Sequence, residues 1–425
     1  MLNLRVICLQ QIVDLRYMDI QHIRNMFPSL SRKVYGKDLV YFDNAATSQR
    51  VQTVLDVWNR ISSESNANIH RAVHRLADEA TQAYEGARDA VKEFLNAAGR
   101  EEIIFTSGTT AAVNLVAFCY GEAFVGEGDE VIVTEAEHHS NIVPWQMMCK
   151  RKGAVLKVLP VDDSGHLMIE KLEELICERT KIMAVTHISN VLGLINPVKE
   201  IIDKCHSRGV PVLVDGAQGA VHCKVDVQEM DCDFYVFSGH KLYAATGTGV
   251  LYGKKKWLDA MPPYMGGGEM VGTVSFKETT FAPLPMKYEA GTQNFASAAT
   301  LKPALEFVNL LNDNELIKYN DKIKDYLLDY FNNDPRIRLY GVPRGTSEEK
   351  IPLFSFTVQG VHHEDLALIL DKMGVAVRSG QMCAEPLMDR FGVTGMLRAS
   401  LAPYNTMEEA EYFVKCLNKA IDMLI

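Results

Sequence analysis

The chain has 425 residues, 47% apolar and 23% charged, with 44 Lys+Arg against 54 Asp+Glu for a formal net charge of -10. At roughly 150 residues per domain this is material for two to three domains with a large core, which excludes a disordered, collagen-like or coiled-coil chain. The acidic balance disfavours binding to nucleic acid or to an anionic membrane, and no apolar run reaches the about eighteen residues a membrane helix requires.

Residues 1–17 hold only the short apolar stretch Val6-Ile7-Cys8-Leu9, too brief for a signal-peptide core and without a small-residue cleavage site. The segment reads as a non-native or disordered extension, with translation expected to begin at Met18. Short β-like runs then alternate with longer helical patterns, the signature of a parallel sheet with crossover helices. A helix is predicted from Asp78 to Asn96, where Tyr84, Ala87, Val91, Phe94 and Leu95 recur at helical spacing. Strands follow at Glu102–Thr106, Glu130–Thr134, Val155–Leu159, Ile182–His187, Val210–Val214, Phe234–Phe237 and Gly249–Tyr252. Pro and Gly interrupt this rhythm near Met261–Gly272, which reads as a long loop. A helical stretch from about Ala296 to Asn332 leads into a different pattern. There, strands Phe354–Val358 and Val375–Arg378 flank a helix at His363–Met373, and a helix at Met407–Leu424 ends the chain. The expected fold is α/β: a large domain with a mainly parallel sheet, then a smaller α+β domain.

Two strand ends carry chemistry. Pro211-Val-Leu-Val-Asp215 places Asp215 at the carboxyl end of a buried strand, where open α/β sheets bind ligands. Asp233-Phe-Tyr-Val-Phe-Ser238-Gly-His240-Lys241 places a lysine just past a second strand end. Taken singly, each residue also suits a structural role, as a helix-capping aspartate or a surface lysine. Together, an anion for a protonated pyridine nitrogen and an amine for an imine match what pyridoxal phosphate requires of a protein. Ile103-Ile-Phe-Thr-Ser-Gly108-Thr109-Thr110 adds a strand, a glycine turn and a helix start, where free N–H groups and two hydroxyls suit a phosphate.

Histidines 70 and 74 stand at i, i+4 and His138-His139 form a doublet, but no His-Glu-x-x-His pattern or third ligand accompanies them, so no metal site is expected. His138 follows a strand and suits stacking on a flat cofactor. The nine cysteines are odd in number and scattered, with no C-x-x-C pair. That argues against a disulfide framework or zinc ribbon and for a reducing, cytosolic setting. Eight of them read as packing residues in apolar or helical contexts. Cys383 differs: in Arg378-Ser-Gly-Gln-Met-Cys383-Ala-Glu-Pro it follows a Ser-Gly turn on a loop, where an accessible thiol can act as a nucleophile. Arg398, beside a buried-looking strand, suits a carboxylate clamp.

Several motifs occur in one order: Asp43-Asn-Ala45-Ala-Thr47, Asn68-Ile-His70-Arg71, Thr109-Thr110, Glu137-His138-His139-Ser-Asn141-Ile-Val-Pro-Trp145, Ser189-Asn190-Val-Leu-Gly193, Asp215-Gly-Ala-Gln218, Ser238-Gly-His240-Lys241 and Cys383. From about Met18 onward the chain resembles a group II, SufS-like cysteine desulfurase of the fold type I pyridoxal-phosphate enzymes. The resemblance implies a homodimer with Lys241 holding pyridoxal 5'-phosphate as a Schiff base, Asp215 on the pyridinium nitrogen and Gln218 on the ring hydroxyl. It implies His138 stacked on the ring and Thr109, Thr110, Ser238 and His240 on the phosphate, with Thr292 reaching the neighbouring subunit's phosphate. Asn190, Arg398, Arg378 and Ala45 would bind the substrate. L-cysteine would give L-alanine and a persulfide on Cys383, passed to a SufE- or SufU-like acceptor protein for iron–sulfur cluster assembly. One departure stands out, because Gln381 and Met382 occupy the place of the usual His-His before the cysteine and neither titrates near neutrality. Selenocysteine lyase, or a lyase or racemase of the same fold that does not use Cys383, are the alternatives. The expected division is 18–34 as a segment packing with the small domain, 35–305 as the cofactor-binding domain and 306–425 as the domain carrying the cysteine loop.

Overall fold

In the computed structural model the described residues are 20–312 and 316–425; the expectation of a start at Met18 and of an extension over 1–17 lies outside them. The central sheet is built from seven strands: β1 (Ile103–Thr106), β2 (Glu130–Thr134), β3 (Val155–Leu159), β4 (Thr180–Thr186), β5 (Val212–Asp215), β6 (Phe234–Ser238) and β7 (Gly249–Gly253). They lie in the order β1-β7-β6-β5-β4-β2-β3, all parallel except β7, which runs antiparallel to both neighbours. Strands β2, β5, β6 and β7 are buried at every position, which is why they read as unbroken apolar runs rather than alternating ones.

One face of the sheet is covered by α1 (Arg75–Leu95), whose Ala77, Ala80, Tyr84, Ala87, Val91 and Leu95 form its buried stripe. The other is covered by α2 (Thr109–Phe124), buried on most of its circumference. The predicted helical stretch after Ala296 is divided into Phe295–Ala299, α3 (Leu301–Asn312) and α4 (Leu316–Asn333). Leu301, Ala304, Leu305, Phe307, Val308 and Leu311 of α3 all belong to the core of the large sheet. The expected division at 305 falls within α3.

The smaller sheet has the order β8 (Ile337–Tyr340), β9 (Leu353–Val358), β11 (Met396–Ser400), β10 (Arg378–Gly380), antiparallel throughout. It is backed by α4, α5 (His363–Lys372) and α6 (Met407–Leu424). The single strand expected at Val375–Arg378 is instead two pieces. Val375–Ala376 pairs in parallel with Val40–Tyr41, while Arg378 turns into β10 against β11. Near the N-terminus, Ile23, Phe27 and Leu30 sit in the core of the large sheet, whereas Arg24 reaches across to Glu409 of α6 at 2.7 Å. Among the described residues no helix is long and apolar enough to cross a membrane.

Candidate active site

The carboxyl ends of β5 and β6 and the start of α2 meet at one cavity of about 560 Å³, which also touches the small sheet through Arg378, Cys383 and Arg398. Asp215 closes β5. It is buried, and its Oδ1 accepts a hydrogen bond from the Ala217 amide at 2.9 Å. Burial raises its pKa, opposed by that amide and by Lys241. Lys241 lies one turn after β6, and burial, reinforced by Arg398 and opposed by Asp215 and Cys383, lowers its ammonium to about 8. At the start of α2, the Thr109 amide donates to Ser238 Oγ at 2.8 Å, and the two hydroxyls lie 2.8 Å apart. This junction is tight because β7 passes against it: a Cβ at Gly249 would stand 2.4 Å from Gly108 Cα.

His138 caps the turn after β2, its Nδ1 accepting from the Ser140 amide at 3.0 Å. Burial, with Lys241 beside it, lowers its pKa to about 4, so the ring is neutral at physiological pH. The neighbouring Glu137 is wholly enclosed and accepts from Thr134 Oγ1 (2.6 Å), the Thr186 amide (2.8 Å) and Asn141 Nδ2 (2.6 Å), tying this turn to β4. Burial raises its carboxyl to about 8 in spite of these donors. Gln218 donates to the Ala45 carbonyl at 2.8 Å, and His240 Nδ1 lies 3.2 Å from Thr47 Oγ1.

Asp43 bridges two arginines. Arg378 places Nε 3.0 Å from Asp43 Oδ1 and Nη2 2.7 Å from Oδ2, and Arg398 Nη2 reaches Oδ1 at 3.4 Å. Arg398 Nη1 donates to the Asn190 carbonyl at 2.8 Å, and its buried Nε has no acceptor among the described residues. Burial lowers Arg398 to about 10, with Asp43 opposing.

The cysteine loop is held from the large-sheet side. Asn190 Nδ2 donates to the Met382 carbonyl (2.8 Å), the His139 amide donates to the Cys383 carbonyl (2.7 Å), and the Glu385 amide donates to His139 Nε2 (3.0 Å). The Met382 side chain is buried in the large core while Cys383 is exposed. Both residues have left-handed backbone, φ 55° and 56°, a conformation costing roughly 1–2 kcal/mol each for a residue with a Cβ. The surrounding contacts have to supply that energy.

Of the candidate cofactor, substrate and catalytic residues read from the sequence, all but Thr292 line this cavity. Thr292 lies in a second one of about 420 Å³, with Phe105, Ser107 and Glu289. His70 and His74 part company: His70 Nε2 pairs with Glu85 at 3.1 Å, and His74 caps α1 through Nδ1. Among the described residues no three His, Cys, Asp or Glu side chains are grouped to hold a metal ion. Not every other cysteine is a packing residue, since Cys177 is exposed and donates to Glu130 at 3.3 Å. Sequence reasoning passed over Asp43 and His139 as functional residues. Asp43 lies 335 positions from Arg378, and His139 was weighed only as a metal ligand, so no local spacing marked either.

These groups fit a phosphorylated pyridine cofactor. Asp215 is an enclosed carboxylate with one backbone donor and no ion-pair partner among the described residues, so it has room for a cationic N–H. The start of α2 has hydroxyls and N–H groups suited to a phosphate, and the unpartnered Arg398 Nε suits a substrate carboxylate.

Comparison with known proteins agrees with this geometry. A family model described as aminotransferase class-V matches residues 40–413. A probable cysteine desulfurase of Halalkalibacterium halodurans is 46% identical over 402 residues, 95% of this chain and 98% of that protein. The crystal structure of the cysteine desulfurase CsdA (S-sulfonic acid) from Escherichia coli superposes with a TM-score of 0.87 at 40% identity, covering 96% of this chain and 100% of the other. The apo cysteine desulfurase of Thermococcus onnurineus superposes with a TM-score of 0.86 at 34% identity, covering 94% and 99%.

Proposed function

We infer that this chain, which belongs to the aminotransferase class-V family, is a pyridoxal-phosphate-dependent cysteine desulfurase, removing sulfur from L-cysteine and releasing L-alanine. The observation that carries the reading is the meeting of Lys241, Asp215, Arg398 and the exposed thiol of Cys383 in one cavity. When bound, pyridoxal phosphate supplies an electrophilic carbon and an electron-accepting ring.

Thr109, Thr110, Ser238 and His240 would hold its phosphate, Asp215 would keep a proton on the ring nitrogen, Gln218 would bond the ring hydroxyl and His138 would cover the ring face. Lys241 would anchor the carbonyl carbon. Arg398 and Arg378, with Asn190 and Ala45, would orient the substrate carboxylate. With its ammonium lowered to about 8, Lys241 Nζ gives up and regains a proton near neutral pH, as a general base for the substrate α-proton must. The Cys383 thiolate then attacks the substrate sulfur: the carbon–sulfur bond breaks, a sulfur–sulfur bond forms on Cys383 Sγ, and the carbon left behind takes a proton.

The short loop from Arg378 to Cys383 supports the group II, SufS-like subtype and a SufE- or SufU-like acceptor protein; a role in iron–sulfur cluster assembly rests on the family resemblance. Thr292, in its own cavity, would complete the phosphate site of the second copy in a homodimer. The free cysteines support a reducing cytosolic setting.

The test compares wild type with Cys383→Ala, following the visible absorption of the bound cofactor and alanine release from L-cysteine with a reductant. Both proteins should bind the cofactor, and only wild type should form alanine. Undiminished activity in Cys383→Ala would remove the persulfide step.

A further inference from the structure

We propose that His139 is the positioning residue of the cysteine loop, holding Cys383 at the mouth of the cavity through two backbone hydrogen bonds; this rests on the reading of Cys383 as the sulfur-accepting thiol. The loop comes from the small-sheet side; Met382 and Ala384 bury apolar side chains in the large core, but no side chain of the loop hydrogen-bonds to Cys383 among the described residues. Gln381 is exposed and its side chain, among the described residues, reaches only Glu385 at 3.2 Å, while Met382 points away into the large core. Neither side chain immediately before the thiol reaches the Cys383 backbone. His139 supplies that restraint from the opposite wall.

Its main-chain N–H fixes the Cys383 carbonyl and its ring Nε2 fixes the Glu385 amide, so the residues on both sides of Ala384 are tied to one side chain and its own backbone. The Glu385 amide begins the helix Glu385–Phe391, and a first-turn N–H has no partner within its own helix. The ring nitrogen is thus a substitute cap donated by the large-sheet side. With Nε2 accepting from the Glu385 amide, His139 serves the loop as a hydrogen-bond acceptor. The two left-handed residues, Met382 and Cys383, would relax toward ordinary backbone without these ties, carrying the sulfur away from the cavity. Asn190, through the Met382 carbonyl, provides the only other tie to this segment from the 188–196 loop among the described residues.

The experiment uses the cofactor-loaded enzyme with His139→Ala and His139→Gln. Glutamine's Oε1 can accept from the Glu385 amide in place of Nε2, and alanine cannot. Losing one such hydrogen bond should lower kcat for alanine formation about three- to tenfold, with KM for L-cysteine and the cofactor absorption unchanged. His139→Gln should recover most of the rate. Amide hydrogen exchange of a peptide covering 380–388 should quicken in His139→Ala and return toward wild type in His139→Gln. Equal losses in both variants, a change confined to KM or to the cofactor absorption, or unaltered exchange would overturn the proposal. If wild type itself formed no alanine, the desulfurase reading would fail, while the exchange result would still decide whether His139 clamps the loop.

Discussion

Replacing Gly249 by alanine isolates the cofactor cradle from the rest of the fold. Gly249 opens β7 and pairs with Thr106 on one side and Ser238 on the other, so it sits between the two segments that flank the start of α2. The added Cβ would stand 2.4 Å from Gly108 Cα and 2.7 Å from the Phe237 carbonyl oxygen, both backbone atoms. Ordinary contact begins near 3.4 Å, so the Gly108 turn must withdraw by about 1 Å, a displacement that can cost on the order of 100-fold at a preorganised site. The Thr109-to-Ser238 hydrogen bond, 2.8 Å long, would not survive that shift. We expect pyridoxal phosphate affinity to fall about ten- to a hundredfold, with an overpacking cost of about 1–3 kcal/mol in stability. The assay is titration of cofactor-free protein with pyridoxal phosphate, followed by visible absorption, with thermal unfolding run alongside. Gly253→Ala is the internal control. On the same strand, its Cβ meets Leu258 Cδ2 at 2.9 Å, the end of a side chain that can move, so cofactor affinity should stay at the wild-type value. Wild-type affinity in Gly249→Ala, or an equal loss in Gly253→Ala, would refute the argument that this glycine exists to let β7 approach the cradle.

Two further predictions concern buried charge. Arg88 and Glu289 form an enclosed pair at 2.7 Å that also engages Tyr84 and the Phe105 amide; Arg88→Met should destabilise by about 3–5 kcal/mol in urea unfolding, and adding Glu289→Gln should recover part of the loss. A single-variant loss below about 1 kcal/mol would contradict it. Lys350 is buried, its Nζ has only the Leu192 carbonyl as hydrogen-bond partner among the described residues, and burial, with Lys324 nearby, lowers it from 10.5 to about 7. Between those values the unfolded chain binds the proton more readily, so this group's contribution to stability rises as pH rises from 7 toward 10.5 and is least favourable at or below pH 7. Lys350→Met should therefore gain most over wild type near pH 7, with the gain shrinking toward pH 10. Thermal midpoints at pH 7, 8.5 and 10 check this, and a pH-independent difference would count against it.

The strands of the large sheet and the residues at their ends were legible because burial on both faces writes itself as short apolar runs. A charged residue closing such a run stands at the carboxyl end of the sheet, where ligands bind. Asp215, Ser238 and Lys241 are read this way from local pattern, and Thr109 and Thr110 from a glycine turn before a helical period. The split of Val375–Arg378 between two sheets was not legible. Its two halves differ only in which distant segment supplies the hydrogen-bonding edge, Val40–Tyr41 or β11. Nor was the placement of α3, since its apolar face suits either core and only the packing of the large sheet selects one.

The sequence by itself determined the layered α/β architecture, the strand-end acid and lysine, the glycine turn at the start of α2 and the unusual cysteine, because each depends on residues within a few positions of one another. Tertiary structure alone decided what holds them in working relation. Asp43 bridges arginines more than 330 positions away, His139 and Asn190 secure the cysteine loop from the other wall, and Glu137 is enclosed between β2 and β4. Such contacts have no period and no spacing; they exist only once chain closure brings distant segments within hydrogen-bond reach and burial removes the water that would otherwise compete for them.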